Sequence, residues 1–239
     1  MPVAVSAEAV RTTRTRAESN GVPFWHTTII GANRYRPPAE PPPGPGALYP
    51  MAFLVEQDPE TTVQAHFHQA DQFQVIVGGD GTLGTHAVRP YAVHFTAAWS
   101  PYGPIRASAS GISYLTLRNG WDPGARYMPG ARAELPRQRR YRETVADAAA
   151  AGTLIPLGAD GLGAWRFALG ADDTPEAPKP ASGFGQFWVV LEGALAHAGE
   201  SFGPGSCLFV GPDEPPLPAR AGASGADLLV LQFPRRSVH

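Results

Sequence analysis

Two histidines separated by one residue, His66 and His68, are the side chains of this sequence best suited to chemistry. They open the stretch HFHQADQFQVIVGG, whose later part is rich in residues that favour strands. Alternate residues of a strand share a face, so both imidazoles should point to one side, and Gln72 can join them across the next turn. Two imidazoles and an oxygen donor suit a divalent transition metal. The alternative is a surface strand that happens to carry two histidines.

The composition favours an all-β protein. The 239 residues include 27 glycines and 26 prolines, which interrupt helices and suit the turns between short strands. A formal net charge of −2 provides no basic surface for nucleic acid. No apolar run is long enough to span a bilayer, so we expect a cytoplasmic protein without a membrane partner.

An internal repeat organises the chain. The segment QFQVIVGG, which begins at Gln72, returns as QFWVVLEG from Gln186, an offset of 186 − 72 = 114. The same offset, without a gap, brings RASASG onto RAGASG further along. The chain is therefore predicted to contain two copies of one β-rich unit, over residues 48–118 and 162–232.

The parts between and around the copies are predicted from their composition. A helix is expected over 144–151, TVADAAAA, because alanine favours helices and Gly152 can end one. The proline-rich stretch at 37–46 should be an extended linker. In the first copy the pattern predicts strands near 49–56, 62–68, 72–78, 92–96 and 112–118, with a turn at GGDG.

The spacing of the histidine segment resembles the first motif of the cupin family. His66-x-His68 is followed after three residues by Gln72, and after six more by Gly79, with glutamine in place of the usual glutamate. The resemblance covers both copies and implies a bicupin, in which two tandem jelly-roll β-barrels are joined by a short helical linker. The domains would be an N-terminal arm and linker at 1–45, a first barrel at 46–120, a linker with the helix at 121–158, and a second barrel at 159–239.

The second cupin motif is incomplete in the first copy. It should begin at a glycine, and Tyr91 holds that position. Counting on from Tyr91 puts Tyr102 where the motif has a histidine, so Tyr102 could coordinate as a phenolate or bind the substrate. A jelly roll would also place the strand of His94 beside that of Gln72, so His94 could supply a third imidazole.

The second copy lacks the histidines of the first. The residues Pro180, Ser182, Leu208 and Pro216 stand where the first copy has His66, His68, His94 and Tyr102. The resemblance therefore implies a single metal site, in the first copy, and a degenerate second one. The metal candidates are His66, His68, Gln72 and His94, and the catalytic candidate is Tyr102. Iron is the expected metal, with nickel, zinc, manganese and copper as alternatives.

The resemblance to cupin dioxygenases implies oxidation of a small organic acid, diketone or phenolic compound with dioxygen. Two alternatives remain open at this point. One is a metal-assisted lyase or isomerase with Tyr102 as acid or base. The other is a bicupin that binds a small molecule without catalysis. The resemblance also implies a homodimer.

Overall fold

The computed structural model of the chain describes residues 2–32, 43, 47–138 and 141–235. It divides into an N-terminal unit, Thr13–Asp147, and a C-terminal unit, which combines Met1–Thr12 with Ala148–His239. The proline-rich linker predicted at 37–46 lies outside the described residues, except for Pro43. Within the described ranges, no helix is both long enough and apolar enough to cross a membrane.

The described residues form eighteen strands and three short 3₁₀ helices, which confirms the all-β prediction. The strands of the N-terminal unit are preceded by β1 (Val3–Val5) of the C-terminal unit. They are β2 (Thr15–Ser19), β3 (Val22–Ile30), β4 (Met51–Gln57), β5 (Thr62–Val63), β6 (His66–Phe67), β7 (Gln72–Leu83), β8 (His86–Val88), β9 (Val93–Thr96), β10 (Ile105–Arg118), β11 (Arg126–Tyr127) and β12 (Glu143–Ala146). The rest of the C-terminal unit has β13 (Gly152–Ile155), β14 (Gly163–Leu169), β15 (Gln186–His197), β16 (Glu200–Phe202), β17 (Cys207–Val210) and β18 (Ala219–Gln232). The 3₁₀ helices are Glu8–Thr13, Gly130–Glu134 and Pro180–Ser182.

The N-terminal unit is built on an antiparallel sheet with the order β12-β9-β7-β10-β4-β3-β2. In addition, β5 pairs with β10, β8 pairs with β7, and β6 pairs with β11 in a small separate sheet. Because β12 and β2 lie at opposite ends of this order, the pairing among the described residues does not close the sheet into a complete barrel. Its core includes Phe24, Ile76, Leu83, Ile105 and Ile112.

The C-terminal unit repeats this arrangement. Its sheet has the order β1-β17-β15-β18-β14-β13, and β16 pairs with β15. The strands β15, β16, β17 and β18 each begin 114 residues after β7, β8, β9 and β10. β10 and β18 have the same sequence of buried and exposed positions along all 14 residues. The structure thus confirms the repeat.

The edge strand β12 replaces the helix predicted over 144–151, and that prediction was wrong. Val145 pairs with His94 of β9, and its side chain packs against the core of the unit. An eight-residue helix is marginal on its own, whereas β-branched Thr144 and Val145 suit a strand that completes a sheet edge. Sheet pairing therefore outweighs the helix propensity of the alanines.

The chain before residue 45 is not simply an arm. β2 and β3 form one end of the N-terminal sheet, where Phe24 pairs with Gln57 of β4. β1 belongs to the other unit, and Val3 pairs with Phe209 of β17. The described part of 1–45 therefore contributes strands to both sheets.

The predicted turn at GGDG is also absent, because β7 continues through it to Leu83. The strand passes this point with irregular register against β10, and Gly79 adopts a positive φ of 65°. A Cβ at Gly79 would lie 2.1 Å from the carbonyl oxygen of Gly111. The glycines thus permit a bulge within one long strand.

Gly79→Ala is expected to lower the free energy of unfolding by about 3 kcal/mol, from backbone strain together with the clash at Gly111. Gly21→Ala is a matched control, since Gly21 has a φ of 77° but nothing within 4 Å of its added Cβ. This control should cost only about 1 kcal/mol. Urea unfolding followed by circular dichroism would measure both variants. Equal losses would show that the approach of Gly79 to Gly111 is unimportant.

Candidate functional site

The five predicted site residues meet inside the N-terminal unit, around the side chain of Tyr102. Its hydroxyl oxygen lies 2.9 Å from His66 Nε2 and 2.7 Å from Gln72 Nε2. The ring centroids of His66, His68 and His94 lie 4.5, 6.2 and 5.0 Å from that of Tyr102. All five side chains are buried.

Backbone hydrogen bonds fix the histidine segment against the loop that carries Tyr102. The N–H of His66 donates to the carbonyl of Tyr102 at 3.1 Å, and the N–H of Tyr102 donates back at 2.9 Å. The N–H of Trp99 donates to the carbonyl of His68 at 2.7 Å. The rings of His66 and His68 are 5.1 Å apart, so they share one side as their spacing predicts.

Both histidines of the pair are anchored through Nδ1. His66 Nδ1 lies 2.7 Å from the carbonyl oxygen of Gln64, and His68 Nδ1 lies 2.8 Å from Asp122 Oδ1. A carbonyl and a carboxylate only accept, so Nδ1 carries a hydrogen in each ring. Burial, with His68 close by, lowers the pKa of His66 to about 3, so this ring is neutral at pH 7. Tyr102 therefore donates its hydroxyl hydrogen to His66.

Gln72 directs its amide nitrogen, and not its oxygen, towards Tyr102. Its Oε1 accepts hydrogen bonds from Nε of Arg118 at 3.0 Å and from Nη2 at 2.7 Å. A guanidinium can only donate, so the amide oxygen must face Arg118 and the NH₂ group donates to the tyrosine hydroxyl. Gln72 therefore holds the tyrosine oxygen, and the oxygen ligand predicted from the sequence is turned away from the site.

His94 lies where the strand order predicted it, on β9 beside β7, but both of its nitrogens are engaged elsewhere. Nδ1 is 3.0 Å from Gln74 Oε1, and Nε2 is 2.8 Å from Thr96 Oγ1 and 3.3 Å from Glu143 Oε1. Burial lowers the pKa of His94, although Glu143 acts against this. His94 packs against the ring of Tyr102 without directing a nitrogen at its hydroxyl.

Arg118 and Asp122 complete the site, and neither was predicted from the sequence. Asp122 Oδ1 accepts from Nη1 of Arg118 at 3.1 Å, and Oδ2 accepts from the N–H of Gln69 at 2.7 Å. Burial alone would raise the pKa of Asp122, but Arg118 and His68 hold it well below its usual range. Nη2 of Arg118 is 3.1 Å from both ring nitrogens of His68. If Nη2 lay in the plane of the imidazole at 3.1 Å from both nitrogens, it would collide with ring atoms such as Cε1. The guanidinium therefore lies over the face of the imidazole.

One signal in the sequence pointed to Arg118. It ends β10, directly after the segment YLTL, and pairs directly with Gln72, the first residue of β7. The repeat places Gln186 and Gln232 at the same two positions, where they also pair. A charged residue at the buried end of a strand, opposite a site residue, is a candidate for that site.

The donor atoms that could hold a metal ion are Nε2 of His66, Nε2 of His68 and the hydroxyl oxygen of Tyr102. Metal-binding histidines usually donate their other N–H to a carbonyl or carboxylate, as both rings do here. In the part of the chain that the structure describes, no three His, Cys, Asp or Glu side chains group to hold a metal. A metal held by the two histidines would therefore take the tyrosine oxygen as its third donor. Burial raises the pKa of Tyr102, an effect that Gln72 and Arg118 oppose.

The corresponding region of the C-terminal unit has amides in place of imidazoles. Gln186 Nε2 donates to Gln232 Oε1 at 2.6 Å, and Gln232 Nε2 donates to Ser182 Oγ at 2.8 Å. Leu208, at the position equivalent to His94, belongs to the apolar core of this unit. These side chains offer no imidazole nitrogen to a metal.

Comparison with known proteins identifies the fold. No family model and no curated protein sequence matches the chain. Among solved structures, a Nostoc punctiforme protein provisionally named a dioxygenase is 11% identical, with a TM-score of 0.64, over 97% of this chain and 82% of that one. A bacterial pirin from Escherichia coli, in complex with nickel(II), is 15% identical, with a TM-score of 0.58, over 99% of this chain and 100% of that one.

A point mutant of salicylate 1,2-dioxygenase from Pseudoaminobacter salicylatoxidans is 15% identical, with a TM-score of 0.50. The match spans 77% of this chain and 70% of that one. These structures are cupin-family proteins. At such identities the likeness shows the fold alone, and it confirms the predicted all-β architecture of two cupin-like units.

Proposed function

We propose that this chain is a metal-dependent cupin enzyme that oxidises a small organic acid, diketone or phenolic compound with dioxygen. The observation behind this proposal is the pair of imidazoles, His66 and His68, anchored through Nδ1 beside the hydroxyl of Tyr102. The names of two structural neighbours, one provisionally a dioxygenase and one a salicylate dioxygenase, support the class of reaction. Iron is the expected metal. Nickel, which the pirin structure contains, zinc, manganese and copper are the alternatives.

His66, His68 and Tyr102 would hold the metal, with one oxygen and two nitrogen donors. When bound, a metal of this kind supplies a Lewis acid and, for iron, a redox centre for reaction with dioxygen. Gln72 donates its N–H to the tyrosine oxygen and so fixes that oxygen in place. The burial of these four side chains limits the access of water to the site.

In the metal-free protein, Tyr102 is poorly suited to act as a general base. Its hydroxyl already donates to His66 and accepts from Gln72, and burial raises its pKa above the usual value. A base that acts near neutral pH needs a lowered pKa. The lyase or isomerase alternative therefore has less support from the structure than the oxidation.

Metal analysis after loading with Fe(II), Ni(II) or Zn(II) tests the proposal. Wild-type protein should retain roughly one ion per chain, and His66→Ala should retain none, because it loses a ligand nitrogen. His86→Ala is the matched control, since His86 is exposed in the same unit. Wild-type protein that stays metal-free under every loading condition would contradict a metal-dependent function.

Oxygen consumption then separates the enzymatic reaction from simple binding. The loaded protein should consume dioxygen with at least one compound from a panel of diketones, phenols and small acids. A protein that binds metal and a panel compound without consuming oxygen would be a binding protein. The homodimer and the cytoplasmic location stay predictions, which sedimentation and cell fractionation can test.

A further inference from the structure

Asp122 is a buried carboxylate directly behind His68, and it is not among the proposed metal donors. Its side chain is fully buried, with 0% exposure. Its Oδ1 accepts from His68 Nδ1 at 2.8 Å, from Arg118 Nη1 at 3.1 Å and from the N–H of Gly124 at 2.8 Å. The N–H of Gln69 occupies the other oxygen. Asp122 is thus held rigidly by donors from several directions.

This arrangement determines which nitrogen of His68 carries the hydrogen. A neutral imidazole exists in two tautomers, and the carboxylate at Nδ1 stabilises the one with hydrogen at Nδ1. In the other tautomer, the hydrogen would lie on Nε2 and block the lone pair that a metal needs. The guanidinium of Arg118 over the ring face also disfavours a second hydrogen on this ring, because like charges repel.

We propose that Asp122 is the positioning residue of the site, which holds His68 in the tautomer that presents Nε2 to a metal. The inference rests on the proposed metal-binding function. It is tested first on metal-free protein, so that the role of Asp122 and the proposed metal-binding function can fail separately. His66 provides an internal reference, since its Nδ1 is held by the carbonyl of Gln64 and not by Asp122.

Nuclear magnetic resonance of protein with ¹⁵N-labelled histidine reports the tautomer of each ring. The spectrum of His68→Gln assigns the signal of His68. Wild-type protein should show His68 with hydrogen at Nδ1, and Asp122→Leu should shift it towards hydrogen at Nε2 while His66 keeps its state. Asp122→Asn keeps an acceptor oxygen and should restore the wild-type tautomer at least in part. An unchanged His68 tautomer in Asp122→Leu would overturn the proposal.

A control variant separates positioning from general destabilisation. Asp227→Leu in the C-terminal unit also removes a carboxylate from a partly buried arginine, since Arg166 Nε lies 2.9 Å from Asp227 Oδ1. It should leave the tautomer of His68 unchanged. If Asp122→Leu does not fold, the double variant Asp122→Leu/Arg118→Met removes both buried charges and should show the same tautomer shift.

Nickel titration gives the second readout. Asp122→Leu is expected to bind Ni(II) about 10–100-fold more weakly than wild type, and Asp227→Leu equally well. If Asp122→Leu shows the tautomer shift but the wild-type protein binds no metal, the role of Asp122 is upheld and the proposed function is overturned. If wild type and Asp122→Leu bind metal equally tightly and His68 has the same tautomer in both, the role of Asp122 is overturned and the proposed function is upheld.

Discussion

Arg118→Met is expected to lower the free energy of unfolding of the N-terminal unit by about 3–5 kcal/mol. Methionine would leave the carboxylate of Asp122 buried without the guanidinium 3.1 Å away. It would also remove both hydrogen bonds to the amide oxygen of Gln72. A buried charge that loses its partner is among the costliest single changes in a protein.

An exposed arginine provides the comparison. Arg14 forms an ion pair with Glu56 at 2.8 Å, and both side chains are partly exposed to solvent. Arg14→Met should therefore cost less than about 1 kcal/mol. Hydrogen exchange of peptides from the N-terminal unit would measure both variants. Similar losses in the two would show that burial of Arg118 with Asp122 adds nothing to stability.

The same variant should change how stability depends on pH. The folded-state pKa of Asp122 lies below its unfolded value, so its contribution is complete above the unfolded pKa of about 4 and is lost as the pH falls through the folded pKa. Without Arg118, the folded pKa of Asp122 should rise. The difference in stability between wild type and Arg118→Met is thus expected to shrink as the pH falls through the folded-state pKa of Asp122 in the variant, which lies above that in wild type.

Tyr102→Phe is expected to weaken metal binding by about 100-fold or more, because it removes one of three donors. It should also lower the free energy of unfolding by about 1–3 kcal/mol, since His66 Nε2 loses its donor and the amide of Gln72 loses its acceptor. Tyr114→Phe is a matched control, as Tyr114 is buried in the core of the same unit. Competition titration with a metal-binding dye would measure the affinities.

The opposite result for Tyr102→Phe would be equally informative. The hydroxyl lies at hydrogen-bond distance from His66, in the direction of the lone pair that would bind a metal. If phenylalanine strengthens metal binding, the tyrosine hydroxyl competes with the metal for this position. That outcome would contradict the ligand role of Tyr102 and leave the histidine pair as the site.

The sequence predicted those parts of the structure that follow from short-range pattern and repetition. The two-residue period of a strand placed His66 and His68 on one side, and the offset from Gln72 to Gln186 located the paired strands of both sheets. The helix over 144–151 failed because pairing with a distant strand outweighed local propensity.

The hydrogen-bond directions could not be predicted in the same way. Asp122 lies 54 residues from His68, and Arg118 lies 46 residues from Gln72, so their contacts depend on how the strands fold together. The motif alone suggests that Gln72 replaces a carboxylate ligand. Only the presence of a guanidinium beside its oxygen shows that the amide must turn its nitrogen to the site.

The pairing of β1 with β17 has a consequence for synthesis of the protein. Val3 and its partner Phe209 are 209 − 3 = 206 residues apart. At about 5–20 residues per second, a ribosome needs about 10–40 s to make that length of chain. The N-terminal unit, Thr13–Asp147, is finished well before β17 exists. β1 therefore cannot pair with β17 at a time when the N-terminal unit can already fold, and the C-terminal sheet receives an edge strand that is made 206 residues earlier.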